Sequence, residues 1–182
     1  MNLKKIFLNF FLFQIGWFVC ILGAANQMPW LALGIVMVIV FGQVAFANQP
    51  MKELALVVSA CVVGAIVDQL FLINHVVQYQ SHGWSNAVVP VWIIALWMGF
   101  SSTLNISLRW LRDRYIVAFL LGAIGGPIAY IAAEKLGAVV ITPMATSYIA
   151  LALAWACVTL LLFELAKIFD GQVMVIDAEQ EH

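Results

Sequence analysis

The chain has 182 residues, of which 65% are apolar and only 9% carry a charged side chain. Soluble domains are about half apolar and about a quarter charged, so this composition excludes a soluble globular domain, a disordered chain and a disulfide scaffold. Eight basic and nine acidic residues leave a net charge of −1, which argues against nucleic acid as a partner. We therefore expect a protein that lies in the lipid bilayer.

Six apolar runs follow one another along the chain, each close to the roughly 20 residues that a transmembrane helix needs. A bilayer offers no water to bond free backbone groups, so a spanning segment must be a helix or part of a closed barrel. These runs are too long and continuous for barrel strands. The sequence thus predicts an all-α bundle of six spans, at about 6–25, 29–47, 53–74, 87–109, 115–134 and 145–168.

Basic residues are distributed unevenly between the two sides that six antiparallel spans would create. One side holds Lys135 alone, and the positive-inside rule assigns the other, more basic side to the cytoplasm. The sequence therefore predicts one domain, 1–170, with both termini in the cytoplasm, and a short acidic cytoplasmic tail, 171–182. The basic residues of the predicted cytoplasmic side are Lys4, Lys5, Lys52, Arg109, Arg112, Arg114 and Lys167.

The N-terminus allows a second interpretation. Lys4 and Lys5, the apolar stretch after them, and Gly23-Ala24-Ala25 are also typical of a secretory signal with a small-residue cleavage site. The stretch is longer than the core of such a signal, which has about 7–15 apolar residues. We expect it to remain in the protein as the first span.

Asp68 lies well inside the third predicted span. An ionisable side chain in the membrane costs about 2.5–3.5 kcal/mol on insertion scales, so it needs a partner or a function. Helical spacing places Gly64 on the same face, where a small residue lets a neighbouring helix approach. We expect the carboxyl group to point into the bundle and to meet donors at its own depth. The expected neighbours are Trp17 or Cys20, Trp97 and Tyr130.

Two roles for Asp68 remain open, a structural hydrogen bond and the binding of a ligand or a proton. If the role is structural, an amide at this position should preserve both the fold and the activity, since it can replace the bonds. If the role is functional, the amide should fold normally and lose function. The candidate ligand-binding residues on this side of the membrane are Asp68, Trp17, Trp97, Tyr130, Glu134 and His75.

Polar residues also recur in the fourth span, where Ser101, Asn105 and Arg109 are spaced by four and share a face. Such side chains bond across helices, contributing about 0.6 kcal/mol each in measured bundles, or line a polar pathway. Arg109 lies near the cytoplasmic end, where its charge can reach the headgroup region. We expect Ser101 and Asn105 to hold helices together.

Small residues form one face of the fifth span. Gly122 and Gly126 make the Gly-x-x-x-Gly pattern of closely packed membrane helices, and Gly125 lies beside them. Pro127 removes a backbone donor and favours a kink. Helix packing is the expected role of this face, and a broken helix that exposes backbone groups to a ligand is the alternative.

No motif for metal binding, nucleotide binding or nucleophilic catalysis is present, so we expect no metal and no cofactor. Four other segments are distinctive: Gln14-Ile15-Gly16-Trp17 with Leu22-Gly23-Ala24-Ala25, Gly64 with Asp68, Pro90-x-Trp92 with Leu96-Trp97 and Phe100, and Leu121-Gly122-Ala123-Ile124-Gly125-Gly126-Pro127-x-Ala129-Tyr130 with Leu136-Gly137-Ala138. Together they resemble an uncharacterised bacterial membrane family, the domain-of-unknown-function 2878 family. The resemblance implies a multi-pass inner-membrane protein without an established activity, whose relatives accompany lipid-modifying enzymes. Ala133 stands where the family pattern suggests a glycine.

Three hypotheses for function follow from these observations. The first is a non-enzymatic inner-membrane protein that binds a lipid or another hydrophobic ligand, or that supports a membrane protein partner in lipid modification. The second is a small transporter or substrate-binding subunit with a polar site in the outer half. The third, a membrane enzyme, would have to use Asp68, His75, Tyr130 or Glu134.

Overall fold

The computed structural model describes residues 2–172, and within them the chain forms a helical bundle. The predicted acidic tail, 171–182, lies outside the described residues from position 173 onward. Short connections join the helices, and two of these connections contain a three-residue strand. The elements are α1 (Leu3–Ala25), α2 (Pro29–Ala45), α3 (Pro50–Ile73), β1 (Val77–Tyr79), α4 (Val91–Leu104), α5 (Tyr115–Lys135), β2 (Val139–Ile141) and α6 (Ala145–Ile168).

Four of the six helices, α1, α3, α5 and α6, are long and apolar enough to cross a membrane. The other two, α2 and α4, have 17 and 14 residues. The predicted all-α bundle with its six apolar helices is therefore confirmed, while the structure alone leaves the number of spans at four or more. Helix α4 is clearly shorter than the predicted span 87–109.

The early end of α4 has a local cause. Ser101, Ser102 and Thr103 each donate their hydroxyl to a carbonyl three residues back, at 2.6–2.7 Å. Such bonds compete with the helical backbone pattern. Asn105 then ends the helix, and the chain turns through a short 3₁₀ helix at Arg109–Leu111. The polar segment that the sequence predicted to be the end of the fourth span is thus a turn after α4.

Helix α4 is the centre of one half of the bundle, where it packs against α1, α2 and α3. Helices α5 and α6 form a tightly packed pair, which joins the first half mainly through contacts of α6 with α3 and α4. Helices α1 and α5 consequently face each other across a gap. The candidate site lies in this gap.

One end of the bundle is closed by the connections 74–90 and 136–144, which we call the cover. Within it β1 and β2 pair antiparallel, with Val77 opposite Ile141 and Tyr79 opposite Val139. These four side chains are buried. Gly137 adopts a positive φ of 84° just after α5, and this left-handed turn directs the chain into β2. The opposite end, which holds the described chain termini, is called the terminal end.

Candidate functional site

Asp68 is completely buried near the cover end of α3. Its Oδ1 accepts hydrogen bonds from the hydroxyl of Tyr79, at 2.6 Å, and from the hydroxyl of Tyr130. Its Oδ2 accepts a hydrogen bond from the indole N–H of Trp97 at 2.6 Å. The carboxylate therefore joins α3, the cover, α4 and α5 at one point.

The partners of Asp68 are all neutral donors. None of the ion pairs within residues 2–172 involves it. An ionised carboxylate only accepts hydrogen bonds, so three donors match its ionised form. Burial and the adjacent Asp68 carboxylate raise the pKa of Tyr79 well above its ordinary value, and its hydroxyl therefore remains a donor at neutral pH.

Two glycines and two tryptophans form a layered stack beside this carboxylate. The indole rings of Trp97 and Trp155 lie 4.8 Å apart and nearly parallel, at 12°. A Cβ atom on Gly64 would lie 2.0 Å from the Trp97 ring, and one on Gly126 would lie 2.2 Å from Trp155. The glycines of α3 and α5 thus admit the rings of α4 and α6 between them. Gly64 permits the close approach that brings Trp97 to Asp68.

The small face of α5 divides into two parts. A Cβ atom on Gly122 would lie 2.6 Å from Thr159 Oγ1, so Gly122 and Gly126 pack against α6, whereas no atom lies within 4 Å of the corresponding position at Gly125. Helix α5 runs without interruption through Pro127. The broken-helix alternative is therefore wrong, and the helix-packing role fits Gly122 and Gly126.

A cavity of 420 Å³ lies between α1 and α5, with α4 and α6 at its base. We call it the cleft. Phe18, Leu121 and Ile128 belong to its rim and are exposed on the sides of their helices, so the cleft opens sideways. Its lining is mainly aromatic and small. The aromatic members are Phe13, Trp17, Phe18, Trp92, Trp97, Phe100, Tyr130, Trp155 and Phe163, and the small ones are Gly122, Gly125, Gly126, Ala129, Ala132 and Ala133.

Four of the six candidate ligand-binding residues belong to the lining of the cleft: Trp17, Asp68, Trp97 and Tyr130. Of the neighbours expected for Asp68, Trp97 and Tyr130 bond it directly. Trp17 lines the cleft without such a bond, and Cys20 is buried elsewhere in the core.

The other two candidates, His75 and Glu134, support the cover instead. His75 is exposed, and its carbonyl accepts a hydrogen bond from the Thr142 hydroxyl. Glu134 accepts the backbone N–H of Ile141 at 2.7 Å, which fixes β2 to the end of α5. Neither residue belongs to the lining of the cleft.

A partner that the sequence reasoning missed is Tyr79. It reaches Asp68 because β1 pairs with β2, whose residues lie 60–64 positions later in the chain than their partners. The alternation of Val77, Gln78 and Tyr79 and the β-branched run 139–141 were the available signal. Both segments are short and follow long helices, so they resemble ordinary loops.

A second buried polar cluster lies at the terminal end. Asn105 donates to Glu53 Oε1 at 2.9 Å and to the carbonyl of Phe169 at 3.0 Å, so it bonds across helices as expected. Ser101 instead donates to the Met98 carbonyl of its own helix. Glu53 was not recognised from the sequence, because its partners are 52 or more positions away.

Asp170 completes the terminal cluster. It forms ion pairs with Arg109 at 2.8 Å and with Arg112 at 2.7 Å. Burial opposes ionisation of the carboxyl, but hydrogen bonds from Arg112, the Gln172 backbone and Arg109 outweigh it and lower the pKa of Asp170. These ion pairs fasten the end of α6 to the turn after α4.

The fold and the cleft define a helical membrane protein with at least four membrane-length helices. Residues 6–161 match the model of a protein family of unknown function, DUF2878. The chain belongs to this family, as the four sequence segments indicated. Neither the curated proteins nor the solved structures gave a match.

Proposed function

We propose that this protein binds a lipid or another apolar molecule in the cleft and does not transform it chemically. The observation that carries the proposal is the cavity of 420 Å³ with its aromatic and aliphatic lining. Small-molecule sites have about 300–1,000 Å³ and a similar lining with few polar groups. The sideways opening between α1 and α5 would admit such a molecule directly from the bilayer.

The proposed location is the inner membrane of a bacterium, with six spans and both termini in the cytoplasm. The cover contacts and the terminal cluster support this arrangement, because they join the ends of alternate helices at the same end of the bundle. Seven of the eight basic residues lie at the terminal end, and the positive-inside rule assigns that end to the cytoplasm. A lipid held in the cleft could be presented to a membrane-bound partner that modifies lipids.

The transporter hypothesis would require Asp68 to exchange its partners for a substrate. Three donors occupy the carboxylate, and the side chain has no exposed surface. These contacts favour a structural role for Asp68 and therefore favour ligand binding in the apolar part of the cleft.

Filling the cleft at Gly125 tests the proposal. Gly125→Phe places a ring in the cleft without a clash at its Cβ, and Gly42→Phe on α2 is a matched control because its Cβ also meets no atom within 4 Å. Native mass spectrometry of protein purified in mild detergent should show a bound apolar molecule on the wild type and on Gly42→Phe. The affinity of Gly125→Phe for this molecule should fall at least about tenfold, which corresponds to a loss of about 1.4 kcal/mol of binding free energy, and its occupancy should fall with it.

Thermal unfolding of the same samples separates loss of ligand from loss of fold. Gly125→Phe should unfold no earlier than Gly42→Phe when both are freed of ligand. A wild type without any bound molecule, or a folded Gly125→Phe that retains full occupancy, would refute the proposal.

A further inference from the structure

We infer that the ligand of the cleft is an uncharged lipid whose hydroxyl or carbonyl group is hydrogen-bonded by Gln14 and Thr159 near the middle of the bilayer. This inference rests on the proposed function and specifies the class of ligand. The observations that support this inference are three polar groups on two walls of the cleft.

Gln14 lies close to the midpoint of α1 and lines the cleft. Within residues 2–172 its amide makes no hydrogen bond. A polar group without a partner in the hydrocarbon layer is costly, because no water is present to bond it. The amide of Gln14 offers both a donor and an acceptor to a molecule in the cleft.

Thr159 and Trp155 contribute the wall on α6. Thr159 is 5% exposed, and its Oγ1 is buried without a hydrogen-bond partner among the described residues. The indole nitrogen of Trp155 is likewise buried and has no hydrogen bond of normal length in that part of the chain, and the Tyr130 hydroxyl is the polar group beside it. Both residues line the cleft and contact Gly122 and Gly126, so they lie at the middle depth of α5. Gln14 lies at about the same depth on α1.

The charge of the lining decides the chemistry of the ligand. The lining includes no lysine, arginine or histidine among the described residues, so nothing in the cleft would neutralise a phosphate or a carboxylate. Its acidic member, Asp68, already accepts three hydrogen bonds on its two oxygens, so an ammonium group would find no free carboxylate. A hydroxyl or a carbonyl matches the free groups, which are amide, hydroxyl and indole N–H.

Bromine quenching of tryptophan fluorescence in lipid nanodiscs tests the inference, because Trp17 and Trp155 line the cleft. The probes are a long-chain alcohol brominated at mid-chain, the ketone and the alkane of equal length with the same bromination, and phosphatidic acid carrying the same brominated chain. Each is added at a known mole fraction of the lipid. The alcohol or the ketone should reach half-saturation at a mole fraction about fivefold lower than the alkane, the gain typical of a neutral hydrogen bond.

Two substitutions test whether Gln14 and Thr159 cause the preference for the alcohol or the ketone over the alkane. In Thr159→Val and in Gln14→Leu, the alcohol or the ketone should reach half-saturation at a mole fraction less than about twofold lower than the alkane. Each substitution removes a hydrogen bond to the alcohol or the ketone, whereas the alkane has no hydrogen bond to lose. Thr103→Val makes the same atomic change at a threonine outside the cleft, whose hydroxyl donates to the Phe100 carbonyl of its own helix. This control should retain the full advantage.

The outcomes separate the inference from the proposed function. Equal quenching by the alcohol, the ketone and the alkane would overturn the inference and leave apolar binding intact. Strongest quenching by phosphatidic acid would also overturn it. Absence of saturable quenching by every probe would reject both. The comparison of probes on the wild type decides these cases even if a variant fails to fold.

Discussion

Asp68 is the residue on which the cover half of the bundle depends, because its carboxylate accepts bonds from three separate elements. An amide cannot replace it fully. Asparagine could accept from Trp97 through its oxygen, but its NH₂ group would then face the hydroxyls of Tyr79 and Tyr130 as a donor. The expectation from sequence, that an amide preserves the structure, therefore needs revision.

Asp68→Asn should lower the free energy of unfolding by about 1–3 kcal/mol, the cost of leaving buried donors without an acceptor. The measurement is reversible denaturation in mixed detergent micelles, followed by tryptophan fluorescence. Asp113→Asn is the control, because the Asp113 side chain is 85% exposed at the terminal end. Equal stability of wild type and Asp68→Asn would show that the three bonds contribute little.

Sequence reasoning found part of this site because depth in the membrane can be counted along a helix. Trp97 and Tyr130 share the level of Asp68 on their own helices, and Gly64 marks the face that another helix approaches. Tyr79 could not be found in this way, because its position depends on strand pairing with residues 139–141. The cleft could not be predicted from the sequence either, because it results from the gap between α1 and α5.

At the scale of elements, the three glycines of α5 have different roles despite their proximity in sequence. Gly122 and Gly126 admit α6, while Gly125 faces open space. A pattern of small residues predicts a close contact, but it does not reveal which residues make it. The apolar runs similarly predicted the six helices and not the end of α4, where hydroxyl groups bond their own backbone.

Leucine at position 122 or 126 should destabilise the protein by about 1–3 kcal/mol, the usual cost of overfilling a packed contact. Leucine at 125 should be tolerated, and so should Ile116→Leu, because Ile116 is 77% exposed. Thermal unfolding of the four variants in one detergent provides the comparison. Similar melting temperatures for Gly125→Leu and Gly126→Leu would contradict the close packing of α5 on α6.

At the scale of the whole molecule, the arrangement in the membrane can be tested at two exposed sites. A cysteine introduced at Asn86, in the cover, and one introduced at Asp113, at the terminal end, should react with a membrane-impermeant maleimide from opposite sides of the membrane. In intact cells whose outer membrane is permeable to the reagent, position 86 should be labelled and position 113 protected. The native cysteines Cys20, Cys61 and Cys157 lie within helices and serve as the background. The reverse labelling would invert the proposed orientation.

The stack of Gly64, Trp97, Trp155 and Gly126 has a consequence for the order of assembly. Its four layers come from α3, α4, α6 and α5, so the last of the described helices in chain order supplies one of the two central rings. Until α6 enters the membrane, the face of Trp97 that stacks on Trp155 has no ring against it. Membrane helices insert first and associate afterwards, so closure of the bundle must await α6. A nascent chain that ends before α6 would form its polar contacts at Asp68 without the Trp155 ring that packs against Trp97.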